Sequence, residues 1–369
     1  MLERLCKAAG NVSEPRRLWG NFRHKLVDIL VIALLTILCG GEDFVDMEEF
    51  GQEREEILRK ILVLPNGIPD SDTFRRVLER VNPAEMSRWL DDWIEMERKP
   101  GGRLVNFDGK AIRGSENTSH KAYHVVSAWV AEHHMTLGEL AVEEKSNEIT
   151  AIPRLLDLID IAGDIVTSDA MGCQTEIVKK ICEKKADYVI GLKGNQPTMD
   201  NEVAEYFSAV ERENLEVLSR WTSPVEKDHG RIEKREVTVI SANWFADRGR
   251  WEGLKTFIQV RSFVTKKGEQ TVSIRRYISS ASLDAQEFCG IIRGHWSIEN
   301  QLHWCLDVVF REDSSRARKD NSPLNLNMLR KMALSLLKAT DMGKRVSLKK
   351  KMFKAALNPE RLLQVLMEK

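Results

Sequence analysis

Residues 104–114 read "LVNFDGKAIRG", a short apolar run broken by an aspartate, a glycine and two basic residues. Its β-branched and aromatic residues predict a strand over "RLVNFDG" that delivers Asp108 to its end. Further along, "DIVTSDA" at 164–170 repeats the arrangement, an apolar strand finishing on Asp169. In open α/β sheets the crevice outside the carboxyl ends of parallel strands is where ligands bind. Two acids there are placed to hold a hard cation. Asp169, followed by Ala-Met-Gly, also suits a helix N-cap or a turn.

Around these two segments strands and helices alternate. "AYHVVSAWVA" and "MTLGELAVEE" read as strands, residues 148–160 and 175–184 as helices, and "ADYVIGL" as a further strand. The resulting β-β-β-α-β-α-β series predicts an α/β fold, a mixed sheet flanked by helices. From 215 to 280 only strand patterns occur ("REVTVISA", "KTFIQVRSFVT", "QTVSIRRYISS"), which predicts an all-β insertion. Helices resume with "DAQEFCGIIRGHWSIENQLHWCLDVVF" and continue through "NLNMLRKMALSLLKAT". Upstream, residues 1–98 show only helical spacing. The turn around Pro65, Asn66, Gly67 and Pro69, with Ser71 or Asp72 as N-cap of the next helix, fits a helix-turn-helix or an ordinary helical bundle. "ERKPGGR" marks a boundary near Pro100. The expected division is therefore 1–98 helical and suited to DNA binding, 99–214 the first part of the core, 215–280 the insertion, 281–340 the second part of the core and 341–369 a basic tail.

Composition narrows the class. With 369 residues, 42% of them hydrophobic, the chain can bury a full core in two or three domains. Net charge is zero, but basic residues prevail in 227–276 and 311–369, offset by "GGEDFVDMEEFGQEREE" at 40–56. "KRVSLKKKMFK" at 344–354 suits a phosphate backbone and equally a solvated face. The apolar stretch 26–40 carries Asp28 and is shorter than the roughly 20 residues of a membrane span, so it reads as a buried helix. The first twenty residues show no signal-peptide pattern, which makes the cytoplasm the expected compartment. Six scattered cysteines without a Cys-x-x-Cys pair indicate neither a zinc ribbon nor a disulfide framework.

A third acid would complete a two-cation site. In "IIRGHWSIENQLHWCLDVVF" at 291–310, His295, Glu299, His303 and Asp307 recur every four residues, beside a stripe of Trp296, Asn300 and Trp304. The plainer reading is a pair of tryptophans finishing the core beside salt-bridged neighbours. A zinc site from His295, Glu299 and His303 is another.

The chain resembles the DDE transposases of bacterial insertion sequences, and within them the branch of H-repeat-associated proteins. The motifs that carry this are "FDGKAIRGS", "VTSDAMGCQ" and "HWSIENQLHWCLDVVFREDSSR", with "LPNGIPDSDTFRRV", "EEKSNEITAIP" and "HGRIEKREV" in support. The resemblance runs from about Asn21 to Leu337 and implies an RNase H-like catalytic core with the β-rich insertion before the last acid. It further implies a triad of Asp108, Asp169 and Glu299 holding two Mg²⁺ or Mn²⁺ ions. The implied substrate is double-stranded DNA, both terminal inverted repeats and target, handled by a homodimer in a synaptic complex in the bacterial nucleoid. Offsets that hold Tyr, Arg and a basic residue in related transposases hold Ile292, His295 and Leu306 here, so Arg293, His295 or His303 would substitute. The same departure keeps Asp307 as a second candidate for the third acid. Expected DNA contacts are Lys110 and Arg113, then Lys193, Asn195 and Gln196 on the "GLKGNQP" loop. His229 and Arg231 in the insertion, and Arg293, His295, Trp296, Asn300 and His303 on the helix, complete the set. Two rival readings are a metal-dependent nuclease, including a domesticated recombination protein, and a non-catalytic DNA-binding regulator.

Overall fold

The computed structural model describes residues 2–16, 22–94, 101–118, 121–142, 148–228 and 230–367. Six helices come first: α1 (Leu2–Ala9), α2 (Leu26–Leu38), α3 (Phe44–Glu53), α4 (Glu55–Leu58), α5 (Ser71–Arg80) and α6 (Pro83–Ile94). Three strands follow, β1 (Leu104–Ile112), β2 (Tyr123–Val130) and β3 (Met135–Val142). Then come α7 (Glu148–Leu158), β4 (Ile165–Ser168), α8 (Thr175–Glu183), β5 (Asp187–Leu192) and α9 (Pro197–Glu213). The β-rich stretch contains β6 (Ser219–Thr222), β7 (Glu226–Asp228), β8 (Arg231–Ser241), β9 (Thr256–Lys266) and β10 (Glu269–Ser279). The chain closes with α10 (Ala285–His295), two π-helical segments (Ile298–His303 and Cys305–Val309), α11 (Ser322–Ala339), α12 (Leu348–Leu357) and α13 (Pro359–Met367). The fold is of the mixed α/β class.

Two compact units interleave these segments. One comprises Met1–Lys99, Gly109–Lys145 and Glu299–Lys369, the other Pro100–Asp108 and Ser146–Ile298, so β1 passes from the second to the first at Asp108.

In the first unit α2 is apolar nearly all round and packs against α1, α3 and α11, as a helix without a polar face must. Its length is that of a core helix, and no helix among the described residues is long and apolar enough to cross a membrane. The cap of α5 is Asp70, whose carboxylate accepts from the Thr73 amide at 2.6 Å, one residue before Ser71 and two before Asp72, the expected caps. Helix α11 is buried along most of its length, Arg330 and Lys331 included. Such cations need partners. Lys331 donates to Ser127 and to Glu139. At the end of α11 the Lys351 ammonium donates to the carbonyls of Leu337 and Thr340, at 2.8 and 2.5 Å. Unsatisfied carbonyls at a helix C-terminus favour a cation. Within the basic run 344–354, Lys351 is therefore committed to the end of α11. Lys351→Ala is expected to lower stability by about 1 kcal/mol in chemical denaturation.

Strand order is β3-β2-β1 in the first unit and β1-β4-β5-β10-β9-β8-β6 in the second, with β7 on β8. Strands β1, β4 and β5 are parallel, while β2–β3, β5–β10, β10–β9 and β9–β8 are antiparallel. The β-rich stretch extends this sheet beyond β5. Helix α10 packs on β4, β6, β8 and β9, burying Phe288, Cys289 and Ile292 against Val189, Val237, Val239 and Ile258.

Three sequence expectations change. Strand β1 does not end on Asp108 but runs on to Ile112; only its parallel pairing with β4 stops there, at Phe107↔Ser168. Residues 197–213, left without a predicted element, form α9, begun by Pro197 in its first turn. The helix expected through 291–310 is α-helical only to His295 and then widens into the two π segments. All six cysteines are free.

Candidate active site

The two aspartates are set by the register of β1 on β4. Leu104↔Ile165 through Phe107↔Ser168 are Cα partners, so Asp108 and Asp169 are the next residues on neighbouring parallel strands. The opposite ends are clamped by buried Arg103, whose guanidinium pairs with Asp164 at 2.5 Å and whose amide donates to the same carboxylate. Fixed at one end and hydrogen-bonded along their length, the strands cannot slip by a residue without turning every side chain to the other face.

Asp169 also caps, as the plainer reading held. Its side chain accepts from the Met171 amide at 2.9 Å, at the head of a short 3₁₀ turn, Ala170–Gly172. Two glycines permit this turn. A Cβ on Gly172 would lie 2.3 Å from Ser168 Oγ, and one on Gly191 would lie 3.1 Å from the Ala170 nitrogen. Two side chains then hold it from the "GLKGNQP" loop: Asn195 Nδ2 donates to Ala170 O at 2.5 Å, and Gln196 Nε2 donates to Cys173 O at 2.8 Å. Although Asp169 keeps an exposed edge, desolvation by the surrounding protein raises its carboxyl pKa, with Glu148 adding; amides of Met171 and Gly172, and Lys193, oppose this. A carboxylate short of positive charge is suited to receive a cation.

Two residues before each acid, on the same strand faces, stand buried Asn106 and Thr167. Thr167 Oγ1 donates to Asn106 Oδ1 at 2.6 Å and lies 2.9 Å from His295 Nδ1. Asn106 Nδ2 donates to Gly294 O at 3.2 Å and to Ser297 Oγ at 3.1 Å. Sequence reasoning missed both residues. Their signal was a polar side chain inside each apolar run, at the same distance from each aspartate.

In the first unit, Glu299 is exposed on the first π segment, and π turns often occur at functional sites. Asp307, the other candidate, is engaged by Lys110 at 2.7 Å. Lys110 also pairs with fully buried Glu312 at 2.8 Å. The expected phosphate-facing Lys110 is thus an internal cation. Burial would depress its pKa, but Glu312 and Asp307 more than offset this and hold it above the usual lysine value. His303 is pushed down to about 3, first by burial and then by Lys331 and Lys110, so it is neutral at pH 7.

The other expected contact residues fall in varied settings. Arg113, Lys193 and Asn300 are exposed. Arg231 pairs with Glu233 at 3.4 Å, and Arg293 grips both oxygens of Glu226 at 2.7 and 3.0 Å. The Arg275 guanidinium lies 4.6 Å over the Trp296 ring. His229 lies outside the described residues.

Among the described residues no three His, Cys, Asp or Glu side chains are grouped to hold a metal ion, whether the triad or the zinc set. The donor chemistry at the β1 and β4 ends still fits a hard cation, being two carboxylates on adjacent strands, one of them desolvated.

Comparison with known proteins follows the same segments. A family model described as "Transposase DDE domain" matches residues 99–336, and one described as "DDE_Tnp_1-associated" matches residues 7–94. YncI of Escherichia coli O157:H7 is 40% identical over 348 residues, covering 92% of this chain and 88% of its own. The H repeat-associated YhhI of Escherichia coli (strain K12) is 36% identical over 374 residues, covering 99% and 98%. Among solved structures, the piggyBac transposase synaptic complex with hairpin DNA aligns with a TM-score of 0.44 at 11% identity, covering 99% of this chain and 78% of that one.

Proposed function

The chain belongs to the DDE transposase family, and from that premise we propose that it cleaves DNA strands at the ends of an insertion sequence and joins the freed 3′ ends to target DNA. The observation that carries this reading is the β1–β4 register, which stops at Phe107↔Ser168, one residue before each aspartate. In the proposed site Asp108, Asp169 and Glu299 are the acids that would hold two Mg²⁺ or Mn²⁺ ions. Bound there, the cations would activate the attacking oxygen and neutralise charge on the leaving one. The protein's own part is to hold those carboxylates still and to seat the phosphates. Arg113 and Lys193, both exposed cations, are the proposed backbone contacts. Joining two ends calls for two copies of the site, hence a homodimer.

The test is a nicking assay with Mg²⁺ on DNA carrying the element's terminal repeats, beside a strand-transfer assay. Nicking together with joining supports the proposal. Cutting without joining would make the chain a nuclease, and neither activity would leave only DNA binding.

Asn195 and Gln196 act in this reading by holding the Asp169 turn rather than by touching DNA. Asn195→Ala and Gln196→Ala are each expected to slow nicking by about 10–100-fold while DNA affinity in a gel-shift titration stays near the wild-type value. Losses of affinity without loss of turnover would return both residues to the DNA interface.

A further inference from the structure

The buried rung beneath the two aspartates has a definite proton arrangement. Gly294 O can only accept, so the Asn106 group facing it at 3.2 Å must be the NH₂, which turns Oδ1 toward Thr167. The Thr167 hydroxyl has one proton, and Oδ1 takes it at 2.6 Å. Nothing then remains on Oγ1 to donate to His295 Nδ1 at 2.9 Å, so the ring must be the donor. We infer that His295 is a positioning residue: as the neutral Nδ1–H tautomer it locks Thr167 to Asn106 across β1 and β4 and so fixes the strand ends that carry Asp108 and Asp169.

Three further observations support this. Asn106 and Thr167 are themselves Cα partners, so their hydrogen bond is a side-chain rung two residues below the aspartates on the same face. The last turn of α10 docks on that rung closely enough that a Cβ on Gly294 would meet Leu104 Cδ2 at 2.3 Å. Burial also pushes the His295 pKa down to about 4, which keeps the ring uncharged at pH 7. His295 was expected to touch DNA; its Nδ1 instead serves the scaffold.

The inference rests on the proposed function for its consequence and on hydrogen-bond direction for its content, and two measurements keep these apart. The ¹⁵N imidazole spectrum of the full chain at pH 7 should show His295 protonated at Nδ1 and bare at Nε2, and Thr167→Val should abolish that preference. An Nε2–H ring in the wild type, or no change in Thr167→Val, overturns the assignment whether or not the chain cuts DNA. In the nicking assay, His295→Asn puts an amide NH where Nδ1 was, and His295→Gln puts it where Nε2 was. We expect His295→Asn to keep turnover within about threefold and His295→Gln and Thr167→Val to lose about 10–100-fold, with KM for DNA unchanged in all three. The opposite order, or a rise in KM alone, would overturn the positioning role. A wild-type chain that does not nick refutes the proposed function, and the spectrum still decides the tautomer.

Discussion

Asp108→Asn, Asp169→Asn and Glu299→Gln should each give a chain that still binds its terminal repeat but nicks it at least about 10³-fold more slowly, the equivalent of roughly 4 kcal/mol of transition-state stabilisation lost with a misplaced cation. The amide variants isolate charge from shape. In Asp169→Asn the side-chain oxygen can still accept from the Met171 amide, so the 3₁₀ turn keeps its cap. Nicking rates with Mg²⁺, measured beside DNA affinity, check the expectation. Asp307→Asn is the control for the alternative third acid. Because Asp307 is already engaged by Lys110, that variant should cut within about tenfold of the wild type. If Asp307→Asn is inert and Glu299→Gln is active, the third acid has been misassigned.

The second large effect is on stability. Glu312 is fully buried and takes a hydrogen bond from Lys110 at 2.8 Å and another from Asn327 at 2.7 Å, with the Arg330 guanidinium at 3.6 Å. Glu312→Ala leaves buried Arg330 without its carboxylate, and losing one member of a buried ion network typically costs about 3–5 kcal/mol. Urea unfolding of the two proteins at pH 7 measures this; a difference under about 0.5 kcal/mol would contradict it. The pH dependence has a definite sign. Burial raises the Glu312 pKa, but Arg330 and Lys110, with the Asn327 hydrogen bond, reverse this and leave it below the usual glutamate value. A depressed folded-state pKa contributes stability that is present above the unfolded-state value and is lost as pH falls through the folded one. The gap between wild type and Glu312→Ala should therefore narrow only in acid, below the ordinary glutamate range.

Much of this was legible in the sequence where one physical rule dominated. Strands buried on both faces read as apolar runs, so β1, β4 and β5 stood out, and each aspartate was visible because it breaks such a run. Helix α2 was equally plain. Two competing rules hid the rest. The four-residue recurrence from His295 to Asp307 is compatible with an α turn and with the wider i→i+5 π turn found after His295, and spacing alone does not choose between them. Helix α9 follows a Gly-Asn-Gln turn and mixes polar with apolar residues, so its first turn read as loop. Charge was the least readable property. Lys110 and Lys351 carry the same sign as exposed Arg113 and Lys193, and no local pattern shows that the first two are spent on buried carboxylates and helix carbonyls. For the same reason Asn195 and Gln196 suggested a ligand loop when their amides are turned inward, toward the carbonyls that follow Asp169.

The most direct measurement is an electron paramagnetic resonance titration of Mn²⁺ into the DNA-bound chain, wild type against Asp108→Asn, Asp169→Asn and Glu299→Gln. The wild type should take up about two tightly held ions per chain, and every one of the three variants should lose tight binding of at least one. Full uptake in any single variant would show that its carboxylate holds no cation and would contradict the proposed site.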